Sequence, residues 1–493
     1  MVWGTTLPSQ PVILKPRPLQ PNGGSILLVP LLPHKKVSAP LPAEIWTVIF
    51  SHAYYGEDNV DPTSNSSRHT GQSRRGLLLI CKALTVRLNG SLFYALVDDD
   101  VLTLLLCWLA SAQNIALPVF YSRVWIQSLW QLEKFTTRLH VADRQWDSLR
   151  RIPYSVPGRW VQDLNLSSLD CGRISLALDE LLTKLFPLLP FMATLVLNTA
   201  VTLSGRALSA LTHREGNEHL KSLKGIQAPA TQPCNQICYP ASVVDGDPLV
   251  QLVRKSVHLE EIEIYGPGFD SLEVDLAFQV ADDSPSAELE REGTVPRMSN
   301  PLKLNSLRSL TMFSTHASPL MCSLLSSELP SLQRLAVTPY DDLPYPISLV
   351  SKFIQIHGST LRSLHFYTPR DKWPKVSNPS PSDILFTCPN LTHLSLEFPL
   401  PGLKIPQGDA HPLQILSIPR PNQHSYETVS TLVSSLKNLR VVRTRDVRWL
   451  RRGIISQAME TGTQGEMREW KRRFASRGVT LLDADMNRDG DYL

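Results

Sequence analysis

The sequence predicts an α/β solenoid in which short parallel strands alternate with helices, and three observations predict it. An apolar beat of the form L-x-x-L-x-L returns as Leu307-Leu310-Met312, Leu332-Leu335-Val337, Leu361-Leu364-Phe366, Leu391-Leu394-Leu396 and Leu413-Leu416-Ile418. The beats lie about 22 to 30 residues apart, the spacing at which a chain lays down one strand and one helix per turn of a stacked array. Amphipathic stretches fill the gaps at 318–328, 346–357, 382–387 and 425–436, each ending shortly before the next strand. Such an array builds a surface for holding something and does not by itself suggest catalysis.

Taken in order, residues 1–39 are rich in proline and polar side chains and are expected to be disordered, because they bury too little surface to offset ordering entropy. Leu41 to Ala53 reads as a helix with Pro42 in its first turn, where a missing N–H costs nothing. Its apolar positions Leu41, Ile45, Val48 and Ile49 follow the helical period, while Trp46 and Phe50 make a second apolar side. A polar insertion at 54–76 reads as a loop, and a second helix follows at 77–88. In SLFYALV, Leu92, Ala95 and Val97 carry the three-then-two spacing for the first time.

The remaining chain, 98–483, is expected to be the solenoid. Asp98, Asp99 and Asp100 open an apolar helix at 101–112, where acidic side chains complement the helix dipole. Weaker beats fill the middle: Val161-Leu164-Leu166, Met192-Leu195-Leu197, Leu220-Leu223 and Leu259-Ile262-Ile264. Two segments stretch the period, one proline-rich at 227–248 and one acidic at 280–302, and both read as surface loops. Residues 484–493 read as a solvated acidic tail: they start a calcium-loop spacing at Asp485, Asn487 and Asp489, but the chain stops before the glutamate that position 12 requires.

Residues 41–97 resemble an F-box, on a Leu41-Pro42 opening, Glu44-Ile45 and Ile49-Phe50 in the first helix, and an apolar second helix carrying Cys81-Lys82. With the beats that follow, the chain resembles F-box proteins with degenerate leucine-rich repeats. The resemblance implies a substrate-recognition subunit of a cullin-type ubiquitin ligase, with a Skp-family adaptor and a protein substrate as partners. It places the adaptor-binding anchors at Leu41, Pro42, Ile45 and Ile49. An alternative stays open, a repeat scaffold that recruits no ligase; Leu84, where the family often has an aromatic residue, and the long insertion at 54–76 support it.

Other chemistries find little support. No phosphate-loop, dinucleotide, zincin or hydrolase-elbow motif occurs, so no enzyme, catalytic residue or cofactor is expected. Cys234 and Cys238, with His213 and His219 upstream, match no tight zinc spacing and read as free loop thiols, so no metal is expected. Seven scattered cysteines do not make a disulfide framework, which favours the cytoplasm or nucleus. A net charge of +4 over 493 residues gives no case for nucleic acid, and no apolar run is long enough to span a membrane.

Because side chains alternate along a strand, residues between the beat positions share the opposite face. That rule selects Glu261, Glu263 and Tyr265, and then Arg334, His365, Tyr367, His393, Glu397, Arg443 and Arg445; the last seven are the candidate substrate-binding residues. Aromatic and arginine side chains are the types enriched where partners bind most strongly. Arg443 and Arg445 belong to a denser basic cluster with Arg440, Arg448, Arg451 and Arg452 around Trp449, which also reads as the solvated charge of a terminal unit.

Overall fold

Among the described residues each apolar beat enters a strand, and the beat residues from Leu307 to Ile418 all lie at most 2% exposed. A computed structural model describes residues 118, 121–144, 157–169, 175–228, 241–266, 301–313, 318–339, 349–368, 381–406, 411–449 and 462–488, all within the unit Ala116–Leu493. The F-box-like segment and its four anchors, Leu41, Pro42, Ile45 and Ile49, lie outside the described residues.

The strands are β1 Arg123–Trp125, β2 Asp163–Leu166, β3 Thr194–Leu197, β4 Ser222–Gln227, β5 Glu261–Tyr265, β6 Ser309–Phe313, β7 Arg334–Val337, β8 Ser363–Phe366, β9 His393–Ser395, β10 Ile415–Ile418, β11 Val441–Thr444 and β12 Thr480–Leu482. They form one sheet in sequence order, and every pairing is parallel. This is the order expected of a repeat-type solenoid, since a unit that meets only its sequence neighbours can place its strand nowhere else.

Helices return the chain between strands: α1 Leu129–Arg144, α2 Ser175–Leu185, α3 Gly205–Thr212, α4 Ala241–Gly246, α5 Pro248–Lys255, α6 Pro319–Leu325, α7 Val350–His357, α8 Ile384–Thr387, α9 Gln423–Ser435 and α10 Gly462–Ala475. Helices α1, α2, α3, α5, α6 and α7 pack each against the next. Their starts are written in the sequence. Ser318 caps α6 by accepting from Met321 N at 3.1 Å, and Asp247 caps α5 by accepting from Leu249 N and Val250 N. Pro319 and Pro248 occupy first-turn positions where no N–H is needed.

A tight turn precedes most strands. Leu259 N donates to Ser256 O, Leu307 N to Leu304 O, Leu332 N to Leu329 O, Leu391 N to Cys388 O and Leu439 N to Leu436 O. The asparagine of the x-Asn-Leu step then ties that turn to the unit before it. Asn390 Nδ2 donates to Ser359 O at 2.8 Å and Asn438 Nδ2 to His411 O at 3.1 Å.

Three readings are corrected. Residues 241–248 are not loop: Val244 is fully buried and α4 leads directly into α5. Leu302, at the end of the expected acidic loop, is buried, and its N–H donates to Ser327 Oγ. Residues 484–488 are folded rather than a solvated tail. The buried Asp483 carboxylate accepts from the N–H groups of Trp449, Asp485 and Asn487 and so closes a turn that the sequence spacing mistakes for the start of a cation loop.

Strand β4 contains one irregularity. Its register against β5 shifts between Leu223 and Ile226, and Gly225 between them has φ +73°. A Cβ there would sit 2.1 Å from Leu197 O, so the strand bends only because the side chain is missing.

Candidate functional site

The alternate positions of the strands line up in rows across the sheet. One row runs Glu261, Ser309, Arg334, Ser363, His393, Ile415 and Val441; the next runs Glu263, Thr311, Ala336, His365, Ser395, Ser417 and Arg443. Register alone therefore sets His365 beside Ser395, and Ser417 beside Arg443.

The two histidines meet over the serines. Their ring centroids lie 4.4 Å apart, nearly edge to face. His365 Nε2 pairs with Ser363 Oγ at 2.7 Å, and His393 Nε2 pairs with Ser417 Oγ at 2.8 Å. Burial, then His393 and the guanidinium groups of Arg445, Arg443 and Arg334, pushes His365 down to about 3. Burial with Arg443 and Arg445 pushes His393 down to about 4. Both imidazoles are thus neutral at physiological pH.

Arg445 is engaged within the chain. It donates from Nη1 to Phe366 O and from Nη2 to Leu396 O, each at 2.9 Å, and makes a 2.8 Å ion pair with Glu397. Its guanidinium also lies 5.8 Å from the centre of the Tyr367 ring. Tyr367, 40% exposed, contacts Phe313, and Phe313 contacts Tyr265, so an aromatic strip crosses from β5 to the end of β8. The Tyr265 hydroxyl donates to Glu263 Oε1 at 2.7 Å; burial and that carboxylate hold the phenol well above its ordinary range.

Arg443 is half-buried and donates from Nη2 to Ala484 O. Burial and Arg445 lower its affinity for its proton. Arg334 is exposed. The alternation rule thus brings His365, Tyr367, His393, Glu397, Arg443 and Arg445 together. Backbone carbonyls of the chain hold part of both Arg443 and Arg445, so neither is the fully solvated charge that the basic cluster also suggests.

The serines Ser363, Ser395 and Ser417 and the ring of Phe313 complete this cluster. Their signal lay in the same alternation: a small polar residue sits between two apolar ones in HLSL and ILSI. Cys234 and Cys238 lie outside the described residues, and among the described residues no three His, Cys, Asp or Glu side chains are grouped as a metal would need. No described helix is long and apolar enough to cross a membrane. No protein-family model matches the chain, and no curated protein matches it either.

Proposed function

We propose that the chain is the substrate-recognition subunit of a cullin-type ubiquitin ligase. In this reading it docks onto a Skp-family adaptor through residues 41–97 and holds a protein substrate on the strand face between β5 and β11. The regular turn, strand and helix unit supports treating the sheet as a leucine-rich-repeat solenoid. The observation that carries the binding half is the strip of Tyr265, Phe313, Tyr367, His365, His393 and the arginines along one sheet face, in which aromatic and cationic side chains are gathered. The adaptor half rests on the resemblance at Leu41, Pro42, Ile45 and Ile49.

The test is capture of purified adaptor by the purified full chain. Ile45→Ala with Ile49→Ala is expected to weaken capture by roughly thirtyfold, the effect of about 2 kcal/mol at buried anchors, with circular dichroism unchanged. If the unmutated chain fails to capture the adaptor, the ligase reading falls and the scaffold reading, which Leu84 and the insertion at 54–76 favour, takes its place.

A further inference from the structure

The row His365, Ser395, Ser417 and Arg443 has a floor of two small side chains, and both serines are fully buried. Ser417 is satisfied by His393, but Ser395 Oγ has no hydrogen-bond partner. The same is true of Nε on Arg443 and Nε on Arg445, the two guanidinium groups that act on both histidines. Buried donors left unpaired cost about 1–3 kcal/mol each, and more when charged, so these three, all on the groups around the histidine pair, call for an acceptor that the chain itself does not supply.

We propose that Arg334, His365, His393 and Arg443 bound a recess that opens to receive one carboxylate from an acidic side chain of a partner polypeptide. The proposal rests on the strand face being the surface that holds the partner. Three unpaired donors match a carboxylate, whose two oxygens offer roughly four acceptor sites. Charge matches as well. The guanidinium groups of Arg334, Arg443 and Arg445 are set against Glu397 and Asp483 once Asp485 is assigned to its 2.8 Å partner Arg448, which leaves a single positive charge uncompensated. The neutral histidines add none, so a monoanion balances the recess and a phosphate dianion does not. Access comes by rotation of Arg443, which is half-buried and held at its tip by one carbonyl.

The test selects displayed random peptides of about ten residues on the full chain and resynthesises one recovered sequence with glutamate, glutamine or phosphoserine at the shared acidic position. The glutamate peptide is expected to bind at least about tenfold more tightly than the glutamine peptide and no more weakly than the phosphoserine peptide. That margin is expected to shrink to about twofold in Arg443→Gln and in Arg334→Gln. Arg334 is exposed, so its variant keeps the fold even if the Arg443 variant does not. Peptides without a shared acid, no enrichment at all, or equal binding of the glutamate and glutamine forms overturns the proposal. A phosphoserine form bound about tenfold more tightly than glutamate makes the recess a phosphate site instead. A glutamate preference intact in both variants places acid recognition elsewhere on the chain and overturns the assignment to this face. Loss of adaptor capture alone counts against the ligase reading and leaves the recess untouched.

Discussion

Lys224 and Glu261 meet at 2.9 Å across β4 and β5 with about a third of each side chain in solvent, 33% and 34%; Arg445 meets Glu397 at 2.8 Å with only 13% and 19% exposed. Both pairs lie on the same face of the same sheet, over leucine and isoleucine layers of the same kind. The difference lies in what else each cation touches. Lys224 is a point charge facing one carboxylate, whereas the planar guanidinium of Arg445 also holds carbonyls at the ends of β8 and β9. A charge on a strand face thus becomes structural when it finds backbone acceptors, and stays a surface charge when it does not.

Removing one partner of the buried pair tests this most severely. Arg445→Met leaves Glu397 without its cation and two carbonyls without a donor, and is expected to lower unfolding free energy by about 3–5 kcal/mol in urea titrations. A loss below about 1 kcal/mol would mean that the two pairs are equivalent after all.

The next effect is on acid stability and arises at the histidine pair. Unfolded histidine takes a proton below about 6.5. Folded His393 does so only near 4 and folded His365 only near 3. The unfolded chain therefore binds more protons throughout that window, and stability falls as pH drops from about 6.5 towards 4. At pH 5 the loss is on the order of 2 kcal/mol per histidine. His365→Gln with His393→Gln is expected to reduce the slope between pH 7 and pH 5 by the share of these two groups, leaving that of His357 and His411, which burial also lowers. An unchanged slope would show that the pair is solvated.

The smallest effect sharpens the contrast from the other side. Lys224→Met is expected to change stability by less than about 1 kcal/mol, and added salt is expected to weaken the contribution of Lys224 further. A cost comparable with that of Arg445→Met would make the first half of the face as firmly tied as the second.

The sequence was legible where one physical cause dominated. Leu335, Leu364, Leu394 and Leu416 sit where the beat places them because burying an apolar side chain outweighs local preference. The weak beats succeeded for the same reason, as Leu164, Leu195 and Ile262 show. Strand β1 was not anticipated: its burial pattern is exposed, intermediate, exposed, so no apolar period announces it. The bend at Gly225 hid the second half of β4, because a residue without a side chain interrupts the beat. At the site, alternation identified the face but not the wiring. Arg445 reaches Phe366 O 79 residues back in the chain, and no local pattern encodes a contact between a side chain and a distant carbonyl.

Among the described residues the outermost strands, β1 and β12, are each three residues long. A parallel strand rises about 3.3 Å per residue, so each of these two strands presents a border only about 10 Å long. Next to β1, Arg123 pairs with Asp163 at 3.3 Å, which keeps charge on that border. Past β12, the Asp483 turn carries the chain into hydrogen bonds with Trp449 and away from the strand direction. An array of stacked parallel strands is otherwise a template on which further strands can add without limit. Short borders, one charged and one turned away, make poor templates for the addition of a further strand.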